Sequence, residues 1–269
     1  MRWTQGLACL IVCAASASGG ESGDQHPLVP VMQMAYERYE QVARDVRDYS
    51  CTLVKRDRVA GVLLDPEYLF VKIRHEQVEN GRVVEPFSVY VRFLGPADVK
   101  DREVVYVAGA NGGKMIARRG GPRLGSFTTA LSPQSDVAMS RTRYPLTEIG
   151  MLNLIARLLE VGNEELDDRD VEVTYVPGAK VNERRCTLIQ MTHPTYRPHY
   201  RYHVARIFID DELQLPIRYA SYGWPGEEGG KPRLLEEYTY LDVRLNPGFT
   251  DWDFDYRNEG YGFRKEFQP

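Results

Sequence analysis

Three short segments between residues 203 and 245 decide the fold: His203–Asp210 (HVARIFID), Leu215–Pro225 (LPIRYASYGWP) and Leu234–Leu245 (LLEEYTYLDVRL). Each is rich in Ile, Val, Tyr and Phe and is bounded by Asp, Pro or Gly. Such short runs with turn residues between them read as consecutive strands of an antiparallel meander. None of the three contains a recognisable catalytic set, so the stretch points to a sheet whose task is binding rather than chemistry.

The strand pattern extends upstream. In Glu67–Val78 (EYLFVKIRHEQV), Leu69, Val71 and Ile73 share one face, and Tyr68, Phe70, Lys72 and Arg74 the other. Phe87–Gly95 (FSVYVRFLG) repeats the alternation, with Phe87, Val89, Val91 and Phe93 on one face. The runs Glu103–Gly109 and Lys114–Gly120 flank Asn111-Gly112, the strongest short hairpin signal. Strand character resumes after an acidic turn at residues 164–170, and the chain closes on FTDWDFDYRNEGYGF.

Two segments carry helical spacing instead. Val31, Ala35, Tyr39, Val42, Val46 and Tyr49 recur at steps of four and three, and Pro30 suits a first helical turn. Leu146, Ile149, Leu152, Ile155, Leu158 and Leu159 form a second stripe, with Thr147 read as its N-cap and Gly162 as its terminator. Residues 120–144 lie between, rich in Gly, Pro, Ser and Thr. A stretch of that length in a compact domain reads as a binding lid or a covering flap.

Composition bounds the possibilities. The chain has 269 residues, 43% hydrophobic and 27% charged, with a formal net charge of −4. That balance suits a globular core, and the pI near 5.8 with no strongly basic segment argues against nucleic-acid binding. Residues 1–17 read as a signal peptide: Arg2, an apolar run from Leu7 to Ala15, and Ala15-Ser16-Ala17 as cleavage pattern. The run is shorter than the ~20 residues of a spanning helix, so membrane contact is expected to be peripheral at most. Residues 18–27 read as a flexible lead-in and 28–269 as a single domain, exported to the periplasm or cell envelope. Cleavage leaves Cys51 and Cys186, either as a disulfide in an oxidising compartment or as two buried thiols in strands.

Candidate sites of chemistry mostly fail on spacing. His193, His199 and His203 match no established metal-ligand pattern and read as loop histidines. Asp251, Asp253 and Asp255 alternate as in a calcium loop, but Tyr256 and Gly262 occupy the positions that require Gly and Glu. The GANGGK run lacks the first glycine and the hydroxyl residue of a phosphate loop. Glu236 and Glu237 are adjacent in a strand, so they face opposite sides and cannot share a proton. No metal site, cofactor or catalytic residue is assigned. Lys114, Arg118, Arg119 and Arg123 form a modest basic cluster, either solvated or facing an acidic partner or lipid head groups.

The order of elements resembles exported proteins of a domain-of-unknown-function family. It runs from an N-terminal helix to the Tyr49-Ser50-Cys51-Thr52 strand, then FSVYVRFLGP, the Gly-Asn-Gly hairpin, the mid-chain helix and the final meander. The resemblance spans about residues 30–263. More distantly the chain is similar to the lipoprotein-carrier superfamily of LolA, LolB and the sigma-factor regulator RseB. That resemblance implies an α+β fold in which a strongly curved antiparallel half-barrel packs on the two helices and leaves an apolar cavity for acyl chains. Leu69, Val71, Ile73, Phe87, Val89, Val91 and Phe93 are the expected cavity lining. The expected function is a non-catalytic binding protein, not an enzyme, for a lipid or lipoprotein. The alternative is an envelope protein-interaction or sensor module with no cavity.

Overall fold

The computed structural model describes residues 25–121, 127–227 and 229–269; the expected signal peptide, most of the lead-in and Arg123 lie outside the described residues. Helix α1 (Val29–Asp45) begins with Pro30 in its first turn, where the missing N–H is no loss. Strands β1 (Asp48–Val59), β2 (Val62–Leu63), β3 (Glu67–Arg74), β4 (Gln77–Glu79), β5 (Arg82–Glu85), β6 (Ser88–Gly95), β7 (Glu103–Val107), β8 (Met115–Arg118) and β9 (Thr128–Leu131) follow. After the short α2 (Asp136–Met139) and α3 (Met151–Glu164) come β10 (Glu172–Val181), β11 (Arg184–Thr192), β12 (Val204–Asp210), β13 (Pro216–Gly223) and β14 (Arg233–Leu245).

Among the described residues, twelve strands form one curved antiparallel sheet in the order β10-β11-β12-β13-β14-β1-β3-β6-β7-β8-β9, with β2 beside β1. The β12–β14 meander is therefore as expected. Its last strand then joins the first: β14 pairs with β1 from Tyr49↔Leu245 to Asp57↔Glu236. Two sequential meanders thus fuse along a seam of distant residues. The sheet stays open, and residues 132–171 carry the chain from edge β9 to edge β10, bringing α3 across the sheet.

The helices bury their stripes against the concave face. Val31, Met32 and Val42 of α1 and Met151, Ile155 and Leu159 of α3 share one core with Tyr49, Leu53, Leu69, Val71, Ile73, Val89 and Val91 of the sheet. Each such side chain removed from water contributes about 1.5–3 kcal/mol. The α1–α3 crossing depends on Gly162, because a Cβ there would collide with the Met32 thioether. Gly162 accordingly lies inside α3 and acts in packing, not as the helix terminator. Thr147 likewise falls in a short 3-10 turn, and the residue preceding α3 is Gly150.

The convex face is covered by the C-terminal segment. Phe254 and Phe263 pack with Tyr90, Val105 and Ile116 in a second core. Lys72 meets Asp253 at 2.7 Å and lies over the rings of Phe249 and Tyr261, while Arg74 meets Asp251 at 2.7 Å and lies over Phe254. The three aspartates of this segment are thus committed to Arg74, Lys72 and Arg257.

The cysteine pair is corrected by the same topology. Cys51 and Cys186 are free and buried, not a disulfide. Their strands are separated by β12, β13 and β14, or about 19 Å at the usual strand spacing, against the ~7 Å limit for Cα atoms of a disulfide. Cys51 also belongs to the concave core and Cys186 to a separate cluster with Val181 and Ile217.

Candidate functional site

A cavity of about 1750 Å³ lies between the concave face, α1, α3 and the segment that bridges them. It exceeds the ~300–1,000 Å³ usual for small-molecule pockets. Strand alternation supplies the floor, since every second residue of each strand points to the helix side. Leu53 from β1, Leu69 from β3, Phe87, Val91 and Phe93 beside or within β6, and Ile189, Met191, Ala205 and Ile207 from β11 and β12 all line it. Helix α3 supplies Leu152, Leu154, Ile155 and Leu158, and α1 supplies Ala35 and Tyr39.

The seven residues expected to line a cavity all lie in or against the concave core. Six of them are paired in register across β3 and β6, Leu69↔Phe93, Val71↔Val91 and Ile73↔Val89, with Phe87 just ahead of β6. Leu69, Phe87, Val91 and Phe93 border the open volume. Val71, Ile73 and Val89 are 0% exposed and sit beneath the packed helices instead.

The expected flap covers one side of this volume. Its described residues include β9 and α2, and Pro133, Val137, Ala138 and Arg141–Tyr144 face the cavity. Two buried carboxylates of the sheet, Glu67 and Glu236, hold it down, and a third, Asp57, is tied to them through Lys55 and Tyr238. Glu67 accepts from Arg141 Nε at 2.6 Å, and Glu236 accepts from Arg143 Nε at 3.0 Å and Ser221 at 2.8 Å. Asp57 accepts from Tyr238 at 2.6 Å, and Lys55 bridges Asp57 and Glu67 at 3.1 Å each while donating to the Arg141 carbonyl at 3.0 Å. The hydrogen bond to Glu67 raises the Arg141 guanidinium above its usual range, and burial does the same to the Tyr238 phenol. Sequence reasoning weighed Glu236 only as half of an acid pair and passed over the other groups, because they come from three strands and the flap. The visible signal was a charge at the end of each apolar stripe.

The histidines do not assemble a metal site, and no group of three or more ligating side chains does so among the described residues. His193 is not a surface loop residue: it is 0% exposed, stacks on Tyr200 at 3.7 Å, and approaches Glu165 at 3.4 Å. Tyr202 donates to the same Glu165 at 2.9 Å, so the pair is sealed in the fold rather than set in a cleft. His199 is largely exposed, and His203 contacts the His193 carbonyl. Arg118 turns to the convex side and pairs with Glu103 at 2.8 Å beneath the C-terminal segment.

No curated protein matches the chain. Solved structures of similar outline include the Mycobacterium tuberculosis lipoprotein LppX (12% identity, TM-score 0.44, 84% of this chain and 100% of that one). A DUF1329 family protein from Desulfovibrio piger gives 13% identity and TM-score 0.40 over 86% and 98% of the two chains. A putative outer membrane lipoprotein-sorting protein domain from Vibrio parahaemolyticus gives 11%, 0.38, 84% and 96%. The sequence match is of another order: residues 46–263 fit the family model described as protein of unknown function, DUF1571. With its central sheet, its α3 crossing and most of its convex cover inside that match, the chain belongs to the DUF1571 family.

Proposed function

We propose that this protein is a non-catalytic, exported binding protein that holds the acyl chain of a lipid or lipoprotein in the cavity between its sheet and helices. The observation that carries the reading is the volume of about 1750 Å³ walled by aliphatic and aromatic side chains of the concave face, α1 and α3. An apolar, walled space of that size with polar groups confined to part of its lining suits a long apolar ligand with a polar end. The described residues include no helix long and apolar enough to cross a membrane. The cavity-free interaction module has less support, because the C-terminal segment already covers much of the convex face it would use.

Organic extraction of protein purified from its own envelope, followed by lipid mass spectrometry, tests the reading. A stoichiometric lipid is expected. A second test needs no co-purified ligand: wild type should enhance the fluorescence of the neutral probe N-phenyl-1-naphthylamine. Ala35→Trp, which projects an indole from α1 into the cavity, should reduce that enhancement while leaving the unfolding midpoint within a few degrees. Empty extracts together with a probe signal indifferent to Ala35→Trp would sink the proposal.

A further inference from the structure

The concave face has a polarity along its strands. Although neighbouring strands run in opposite directions, the cavity-facing stripes of β1, β3 and β14 turn from apolar to charged at the same end. On β3 the order is Ile73, Val71, Leu69, then Glu67; on β1 it is Cys51, Leu53, then Lys55 and Asp57; on β14 it is Tyr240, Tyr238, then Glu236. Arg102 takes the corresponding place ahead of Val104 and Tyr106 on β7, beside Phe93, whose N–H donates to the Arg102 carbonyl at 2.9 Å. The flap closes over this end with Arg141 and Arg143, whose side chains remain 31% and 32% exposed. One end of the cavity therefore carries a row of charges and is partly open, while the rest of its lining is largely aliphatic and aromatic, with Arg38, His75 and Glu76 among its polar members.

The cations at this end are unequally matched. Lys55 has Asp57 and Glu67, Arg141 has Glu67 and Asp98, and Arg143 has Glu236. Arg102 donates only to the main-chain oxygen of Asp98, at 3.2 Å, and no carboxylate forms an ion pair with it among the described residues. It also borders the cavity itself. Burial, and then the neighbouring Arg141, lower its affinity for a proton, which is the direction expected of a cation lacking a partner. A planar guanidinium in that position presents its donors to an incoming carboxylate or phosphate oxygen.

We infer that the ligand is an anionic amphiphile, with its acyl chain along the apolar trough and its carboxylate or phosphate headgroup on Arg102 at the charged end, flanked by Arg141. This inference rests on the proposed acyl-chain function and narrows it to a headgroup class. The orientation follows from the same geometry. A headgroup placed at the opposite end would leave Arg102 without an anion and press hydrocarbon against a row of charges.

Displacement of bound N-phenyl-1-naphthylamine by oleate, by oleoyl lysophosphatidate and by the uncharged mono-oleoylglycerol provides the test. Wild type should favour one or both anionic ligands over the neutral one by about tenfold, the scale of a charge-assisted hydrogen bond. Arg102→Gln should abolish that preference, weakening the anionic ligands more than mono-oleoylglycerol, and Arg102→Lys should retain part of it. Inorganic phosphate alone should not displace the probe, which separates an amphiphile site from a simple anion site. Equal binding of all three ligands by wild type, or a preference surviving in a folded Arg102→Gln protein, would overturn the headgroup assignment and leave the cavity reading standing. Failure of every acyl ligand to bind would overturn both.

Discussion

Helix α3 enters the fold without a cap of its own, and this makes Tyr49 a sharp test of how the domain is held together. The residue before the helix is Gly150, which offers no side chain to the first-turn N–H groups. The Tyr49 hydroxyl, reaching up from β1, accepts the Met151 N–H at 2.9 Å; both residues are buried, Tyr49 at 0% exposure. Burial holds the phenol well above its ordinary pKa, so it remains a neutral acceptor throughout the useful pH range. Gly150 permits the approach: a Cβ there would stand 3.1 Å from the hydroxyl and 3.2 Å from Ile73, at a φ of +115°. Tyr49→Phe deletes one oxygen, keeps the ring edge-on to His75, and leaves a buried N–H without a partner. The expected cost is that of an unsatisfied buried donor, about 1–3 kcal/mol. For a domain of this size a loss near 2 kcal/mol lowers the unfolding midpoint by roughly 4–8 °C. Urea denaturation gives the free energy, and amide hydrogen exchange should show lost protection concentrated at Met151 and the first turn of α3. Stability within about 0.5 kcal/mol of the parent, with Met151 still protected, would refute the capping argument.

Four further outcomes follow from the packing. Phe254→Ala should cost about 3–5 kcal/mol by opening the convex core, measured by urea unfolding, and should loosen the C-terminal segment to proteolysis. Glu67→Ala should cost about 2–3 kcal/mol, less than a fully buried pair because Arg141 is partly exposed, and adding Arg141→Met should cost less than the sum of the single changes. Burial lowers the pKa of His75, so the unfolded chain binds the proton more readily; stability should be full above about pH 6.5 and decline as pH falls below it, a slope that His75→Gln should reduce. Burial pushes the Cys51 thiol up to about 12, and Cys186 is also raised, so both thiols should resist Ellman's reagent in the native protein and react after unfolding without reductant.

The local order of this fold was written in the chain. Period-two stripes such as Leu69, Val71 and Ile73 must lie on one face of any strand, and residues at steps of four and three, such as Val31, Ala35, Tyr39 and Val42, must lie on one face of any helix. Those constraints act over neighbouring residues, so they determined the strands, both long helices and the side of the sheet that is buried. The candidate cavity was legible to the same degree, as a set of residues sharing a face. Which of them border open space was not: Val71 and Val91 are cross-strand partners with the same alternation, yet Val91 lines the cavity and Val71 does not.

Tertiary structure alone decided what depends on pairing between distant segments. The seam of β14 with β1 joins residues almost two hundred positions apart, and no local pattern names that partner. It sets three strands between Cys51 and Cys186, which excluded the disulfide. It brings Glu236 beside Asp57, with Glu67 on the next strand, and so builds the charged end of the trough. Alternation determined which side each residue would face; register determined whom it would meet there.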